Sequence, residues 1–455
     1  MTRPVSSHVF PRSFTTDYVL IRRAQGVYLY TEDDRQILDG SSGAAVVSLG
    51  HGHARIAERL HAQASEVAFT HGFAYVTRPL MELSARLAAY AGDPRARVLF
   101  ASGGSEATET ALKLARVWQL ARGLPAKHRI VSRSVSYHGA TLGALSMTGL
   151  LGRRRDFEPL LQQFPRAATA YCYRCPFGLD PARCDVQCAA DIDRTILEQG
   201  AANIAAVILE PVIGASAPGV AAPPDYMARV AETCRRHDVL LIADEVMSGA
   251  GRTGRFFAME HWGVKPDITV VSKSLSSGYA PLAAVIVSGR IADGLQEAGA
   301  RFVHGFTYSG NPLSAAVGLE VLDVLEEENL IDHAARMGER LRSRLDELRQ
   351  LPAVGDVRGL GLLLGVELVA DRDTRAPFPP ERGVAERVRR AALDQGLSIY
   401  PGTGSADGTR GDHILIAPPF IITESQVDEL AEKLARALAR VQADLTAPAA
   451  AVPSH

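Results

Sequence analysis

Through the middle of the chain, short apolar runs alternate with longer amphipathic stretches. Val98–Ala101, Ile130–Ser132, Ala205–Leu209, Val239–Ala243, Ile268–Val271 and Ala283–Val287 are short, mostly β-branched or aliphatic, and bounded by turn residues or charges, which predicts buried strands. Between them, Glu106–Ala121 and Tyr226–Arg236 carry apolar side chains at helical spacing. The strands are apolar throughout instead of alternating with polar residues, so both of their faces must be covered. Strand–helix alternation of this kind predicts an α/β fold: a mostly parallel central sheet with helices on both faces.

Beyond Gly310 the texture changes. Leu313–Glu328 and Ile331–Leu351 read as long amphipathic helices, and Gly355–Val369 as a hairpin. A helix near Glu381–Gln395 and two short strands follow, and a last helix spans Thr423–Asp444. Thr423 at its N-cap and Gln426 three residues on form a capping box. Helices on a small, largely antiparallel sheet predict a smaller α+β C-terminal domain. The expected division is an N-terminal segment (1–54) packing on that small domain, a large domain (55–310), the small domain itself (311–446) and a frayed tail (447–455). No fixed-period repeat is visible, which argues against a solenoid or propeller.

Composition narrows the class. The 455 residues carry 49 Lys+Arg and 51 Asp+Glu, a net charge of −2. Such a chain lacks the clustered basic surplus that nucleic-acid binding needs. Apolar residues make up 47% and charged ones 22%, enough for a large core. Met1–Phe10 has no apolar run of the signal-peptide kind, and no apolar stretch approaches the ~20 residues that span a bilayer. The expectation is a cytoplasmic enzyme with no membrane and no nucleic-acid partner.

Three motifs then carry chemistry together. Ser102-Gly-Gly-Ser-Glu-Ala107 lies between a predicted strand and a helix. Its glycines allow close backbone approach, and N–H groups at the helix start can hold a phosphate. Alone it is equally an ordinary helix cap. Asp244 ends the apolar strand of Leu240-Leu-Ile-Ala-Asp-Glu-Val246, at the edge where doubly wound sheets place ligands. Alone, it would equally cap the next turn. Lys273 follows another buried strand and precedes the Gly-containing Ser276-Ser-Gly-Tyr-Ala-Pro281. Burial there lowers the pKa of a lysine and makes its amine a usable nucleophile. A phosphate seat, a strand-end carboxylate and a semi-buried lysine are what pyridoxal 5'-phosphate requires for its phosphate, ring nitrogen and aldehyde. A nicotinamide-binding protein is disfavoured, because no early G-x-G-x-x-G follows a strand.

On these residues the sequence resembles the class III (omega-type) aminotransferases, fold type I pyridoxal-phosphate enzymes. Matching stretches run from Gly26-Val-Tyr-Leu-Tyr30 through Leu49-Gly-His-Gly-His53 to Pro418-Pro-Phe-Ile-Ile-Thr423. The most specific are Gly104-Ser-Glu-Ala107, Tyr137-His-Gly139, Asp244-Glu-Val246, Gly251-Arg-Thr-Gly254, Ser272-Lys273 and Thr307-Tyr-Ser-Gly310. The resemblance implies that Lys273 is the Schiff-base lysine and the base that moves the substrate proton. It implies that Asp244 pairs with the pyridine nitrogen, Val246 packs under the ring and Tyr137 stacks over it, with His138 beside Tyr137. Gly104 and Ser105 would hold the phosphate, and Thr307 the phosphate of the other subunit in a homodimer with shared active sites. Glu210 and Arg252 are expected in buried or interface ion pairs. The implied reaction is a ping-pong transfer of an amino group from an amine or ω-amino acid to a 2-oxo acid. Alternatives are another reaction on the same fold (decarboxylating transaminase, aminomutase, epimerase) or a non-catalytic regulatory protein binding metal or cofactor.

One departure bears on substrate. Family members that use 2-oxoglutarate often carry a gating Glu five residues beyond the Glu of their Glu-Pro pair, where this chain has Ala215 after Glu210-Pro211. That tilts the expectation toward pyruvate as acceptor. Arg410, before Ala417-Pro-Pro419, is the candidate for a mobile, carboxylate-binding arginine; a solvated loop arginine is the alternative. Phe73, among the alternating Phe69, His71 and Tyr75, is a candidate lining of the substrate entrance.

The least ordinary feature is a crowding of cysteine. Four of the five cysteines, Cys172, Cys175, Cys184 and Cys188, fall in one insert spanning 171–189. Four thiols so spaced would close a structural zinc site, the alternative being free thiols in a loop. Cys234 reads as a core residue of a helix.

Overall fold

The apolar runs of the central region form one seven-stranded sheet. In spatial order it runs Arg97–Ala101, Ala283–Val287, Ile268–Val271, Leu240–Glu245, Ile204–Leu209, Arg129–Arg133 and Arg166–Ala167. Neighbours pair in parallel except at Ala283–Val287, which is antiparallel to both strands beside it. A computed structural model describes residues 8–10, 14 and 18–446 of the chain, so the tail expected at 447–455 lies outside the described residues. Among these, no helix is long and apolar enough to cross a membrane.

Alternation along the central strand assigns the two faces of the sheet. Leu240 and Ile242 join Ala107, Ala111, Leu114 and Trp118 from the helix Gly104–Ala121. Leu241 and Ala243 join Ile192, Ile196, Met227 and Val230 from the helices Gln187–Glu198 and Tyr226–Arg236 on the other side. The same period of two sends Asp244 to the first face and Glu245 to the second. There Glu245 accepts the Met259 N–H at 2.8 Å. A slip of one residue would exchange the two carboxylates and every apolar partner with them, so the register is firmly set.

The C-terminal third builds a second sheet, ordered Val354–Leu360, Leu363–Leu368, Asp412–Ile416 and Tyr400–Gly402, with every pair antiparallel. Its closing helix, Glu424–Thr446, starts at the expected capping box: Thr423 N–H donates to Gln426 Oε1 at 3.0 Å and Gln426 N–H to Thr423 Oγ1 at 3.4 Å. The helix read from Glu381 starts later, over Val384–Asp394, because Gly383 at φ +53° takes a left-handed turn before it. A further sheet joins Ile21–Gln25, Tyr28–Thr31 and Gln36–Asp39 to Leu397–Ser398, the last pair parallel.

The cysteine-bearing insert is fastened to the second sheet by charge. Glu367 is completely buried in the strand Leu363–Leu368. It accepts the Tyr171 hydroxyl and the Arg174 guanidinium, and pairs with Arg358 at 2.8 Å. The expected zinc site is not formed. Cys172, Cys175, Cys184 and Cys188 are free, and among the described residues no group of three or more His, Cys, Asp or Glu is placed to hold a metal ion. The four instead line a pocket of about 20 Å³ with Tyr171, Pro176, Phe177 and Leu179. Burial pushes the Cys188 thiol up to about 11 and raises that of Cys172.

Removing the Glu367 carboxylate would leave Arg174 without its ion-pair partner and Arg358 with Asp356 alone, at 3.1 Å. Glu367→Ala is expected to reduce the unfolding free energy by about 3–5 kcal/mol, the usual consequence of an uncompensated buried charge, and urea denaturation measures it. A loss below about 1 kcal/mol, the range of exposed pairs, would mean that water satisfies these arginines.

Candidate active site

Chain direction brings the motifs to one edge. The strands Arg97–Ala101, Arg129–Arg133, Leu240–Glu245 and Ile268–Val271 run the same way. The segments at or following their carboxyl ends therefore share that edge: Ser102–Ser105, Tyr137–His138, Asp244–Val246 and Lys273. A carboxyl edge is where open α/β sheets build sites.

Asp244 is 4% exposed, and its burial dictates its surroundings. A carboxylate this deep must be hydrogen-bonded. Oδ2 lies 2.8 Å from His138 Nδ1 and Oδ1 accepts the Val246 N–H at 3.1 Å. His138, itself buried, has its backbone N–H on Thr148 Oγ1 at 3.0 Å. The Tyr137 loop is braced from the next strand along, where Glu210 accepts the Tyr137 N–H and the Gly214 N–H, each at 3.0 Å. Burial raises the Glu210 carboxyl above its usual range. Arg252, also buried, donates to the Pro418 carbonyl at 2.6 Å and lies 4.5 Å from the centre of the Phe420 ring. Within the chain, neither Glu210 nor Arg252 is ion-paired among the described residues: both brace backbone.

Lys273 takes a left-handed backbone, φ +50°, a conformation that costs a non-glycine residue about 1–2 kcal/mol. Its Nζ donates to the Ala44 carbonyl at 2.8 Å. Desolvation pushes its amine down to about 8, with the nearby Asp244 charge opposing the shift. The Ala44 turn is itself held by Asp39, which accepts the N–H groups of Ser41 at 3.3 Å and Gly43 at 3.1 Å and pairs with His51 at 3.2 Å. Sequence reasoning missed Asp39 and Ala44. No periodicity marks the turn, and only the adjacent Leu49–His53 match pointed to this region.

The expected phosphate seat opens the helix Gly104–Ala121. Gly103 precedes it and no side chain caps its first turn, leaving N–H groups suited to an anion. Ser105 Oγ accepts the Ala140 N–H at 3.0 Å, tying this turn to the Tyr137 loop. A Cβ on Gly104 would lie 2.8 Å from Val246 Cγ1, so turn and strand end touch only because residue 104 has no side chain. These groups fit pyridoxal phosphate: an uncapped helix start, a carboxylate with acceptor capacity left over, and an amine of depressed pKa.

Other expected residues lie apart from this cluster. Thr307 and Phe73 line a separate cavity of about 1030 Å³, along with His71, Tyr75, Phe302 and Phe306. Arg410 sits in a loop, 57% exposed, with Nε 2.7 Å from Asp407.

Two outcomes follow from this geometry. Gly104→Ala places a methyl against Val246, and overpacking of about 1–3 kcal/mol should weaken capture of added pyridoxal phosphate at least about fivefold in an absorbance titration. Val246→Ala in the same chain should restore it. Second, capture by the apoprotein should accelerate with pH and level off above about 8, where Lys273 is deprotonated. A profile still rising toward the ordinary lysine value would contradict the desolvation argument.

The aminotransferase class-III family model matches residues 9–438. The uncharacterised aminotransferase YodT of Bacillus subtilis is 39% identical over 97% of this chain and 99% of its own length. An adenosylmethionine-8-amino-7-oxononanoate aminotransferase of Nitratidesulfovibrio vulgaris is 36% identical over 93% of this chain and 77% of its own length. Among solved structures, an (S)-enantioselective omega-transaminase from Thermomicrobium roseum superposes with a TM-score of 0.90 at 37% identity, covering 96% of both chains. The omega-transaminase of Pseudomonas jessenii in complex with PMP does so at 0.88 and 34%, covering 96% of this chain and 97% of that one. The chain belongs to the class III aminotransferases, fold type I enzymes that depend on pyridoxal phosphate.

Proposed function

We propose that this aminotransferase moves an amino group from an amine or ω-amino acid to a 2-oxo acid, pyruvate foremost, in two half-reactions. The carrying observation is the desolvated Lys273 amine on the same sheet edge as the buried Asp244–His138 pair. Pyridoxal phosphate, when bound, acts as the electron sink for the substrate carbanion. Lys273 Nζ would hold the cofactor aldehyde and, when free of it, would be the base that carries a proton between the reacting carbons. Asp244 would keep the ring nitrogen protonated, and His138, bonded to Oδ2, fixes the carboxylate's orientation. Val246 and Tyr137 would pack against the ring, while Gly104 and Ser105 would receive the phosphate on the helix start.

Ala215 supports the choice of acceptor, since no carboxylate stands there to gate a substrate arginine. Two copies of the chain would complete the sites, with Thr307 of each reaching the other's phosphate. Phe73, Tyr75, Val303 and Tyr308 around Thr307 are 91%, 67%, 87% and 65% exposed, an apolar surface of the kind that marks an interface.

Holoenzyme given an amino donor without acceptor should release one equivalent of carbonyl product per site as the cofactor absorbance changes, with no carbon dioxide. Pyruvate added afterwards should restore the first spectrum and yield alanine. A requirement for acceptor before any product forms would refute the two-stage cycle; release of carbon dioxide would favour a decarboxylating reaction.

A further inference from the structure

The Gly251-Arg-Thr-Gly254 loop carries a buried charge that the packing of the sheets does not explain. Arg252 is 0% exposed, yet no carboxylate pairs with it among the described residues, and its Nε and Nη2 find no hydrogen-bond partner there. Nη1 is engaged, by the Pro418 carbonyl at 2.6 Å and the Leu362 carbonyl at 3.3 Å, and the guanidinium lies 4.5 Å from the centre of the Phe420 ring. An unpaired buried charge lowers stability, and an apolar side chain of similar volume often fills such a place at less cost. The guanidinium must be accounted for by what it holds.

What it holds frames the Lys273 amine. Pro418 lies in a segment bonded to both ends of one turn: Ala417 N–H donates to the Gly40 carbonyl at 2.9 Å and Phe420 N–H to the Ser48 carbonyl at 2.7 Å. Between those ends lies Ala44, whose carbonyl accepts Lys273 Nζ at 2.8 Å. The far end of the turn is tied to the lysine's own loop, Ser48 Oγ donating to the Ser274 carbonyl at 3.2 Å and Leu49 N–H to Ser277 Oγ at 2.8 Å. Arg252 thus clamps the segment that closes the turn from outside, while Asp39 shapes it from within. Its charge also reaches the amine. The charged groups facing Lys273 are Asp244 and Glu210, which favour the ammonium form, and Arg252, which with desolvation opposes it. A guanidinium keeps its proton throughout the working range, so that opposition is constant.

We propose that Arg252 is a positioning residue for Lys273: by clamping the Pro418 carbonyl with a fixed, buried positive charge, it sets where the amine rests against Ala44 and how readily that amine meets the cofactor aldehyde. The inference rests on the cofactor-binding role given to Lys273 above. It adds a residue that acts through Lys273 and not on the cofactor itself.

The test reads Lys273 in the full chain without cofactor, by reductive methylation with formaldehyde and cyanoborohydride, followed across pH and located by mass spectrometry against the exposed Lys265. Arg252→Met should fold and resist urea at least as well as the unmodified chain, because it removes an unpaired buried charge. Its Lys273 methylation at pH 8 should nevertheless fall at least about threefold, the effect of a midpoint about half a pH unit higher, and its capture of pyridoxal phosphate should slow by a similar factor. Arg252→Lys, which keeps the charge, should hold the midpoint near that of the unmodified chain. If Arg252→Met does not fold, Arg252→Gln, a neutral donor, should move the midpoint the same way. The proposal is overturned if the neutral variants keep the unmodified midpoint, whatever their stability, or if Arg252→Lys moves it as far as they do. Since the methylation involves neither cofactor nor substrate, those results bear on Arg252 alone; an unmodified chain that captures no pyridoxal phosphate would instead defeat the transaminase reading.

Discussion

The structure turns on one buried carboxylate. Asp244 sits at the end of a strand whose two faces are both packed, so water cannot serve it and protein groups must. The Val246 N–H supplies one bond from the next turn of chain, and His138 supplies the other from a different strand end. Holding His138 in place then requires the Tyr137 loop, and holding that loop requires Glu210 and Ser105. Glu210, Ser105, His138 and Asp244 are thus joined in one set of mutually dependent contacts. A site assembled this way is orientated before any ligand arrives, which is what electrostatic catalysis requires.

Lys273 works under the opposite pressure. Its amine is useful only when uncharged, and desolvation is what lowers it. The Asp244 charge works against that by favouring the ammonium form. Placing Lys273 on a separate strand end, in a left-handed turn and with its amine on a backbone carbonyl, keeps it near Asp244 without making the two a salt bridge among the described residues. A direct ion pair would have held both groups charged and removed the nucleophile.

Much of this was legible because it is periodic or local. The six central strands follow from short apolar runs, and Asp244 and Lys273 stand out as polar residues where such runs stop. The capping box at Thr423 is a local pattern and formed as read. What stayed hidden depends on contacts distant in sequence. Ala44 meets Lys273 across 229 positions, and nothing near Ala44 distinguishes it from any small residue in a turn. The cysteines misled for a related reason. Spacing describes how far apart ligands lie along the chain, but not whether they converge on one ion, and among the described residues no such group forms.

The resting place of the Lys273 amine also links the two ends of the chain to its chemistry. Its acceptor, Ala44, lies in a turn shaped by Asp39, and Asp39 ends the strand Gln36–Asp39. That strand pairs in parallel with Leu397–Ser398, so its position depends on a segment more than three hundred residues further on. Asp39 is 1% exposed and its carboxylate is taken up by the turn and by His51. The small sheet that carries Asp39 therefore sets where the Lys273 amine rests. Packing between these two distant parts of the chain thus fixes the position of the Lys273 amine as well as the sheet, because a shift of that sheet would move Ala44 and release Nζ from its carbonyl.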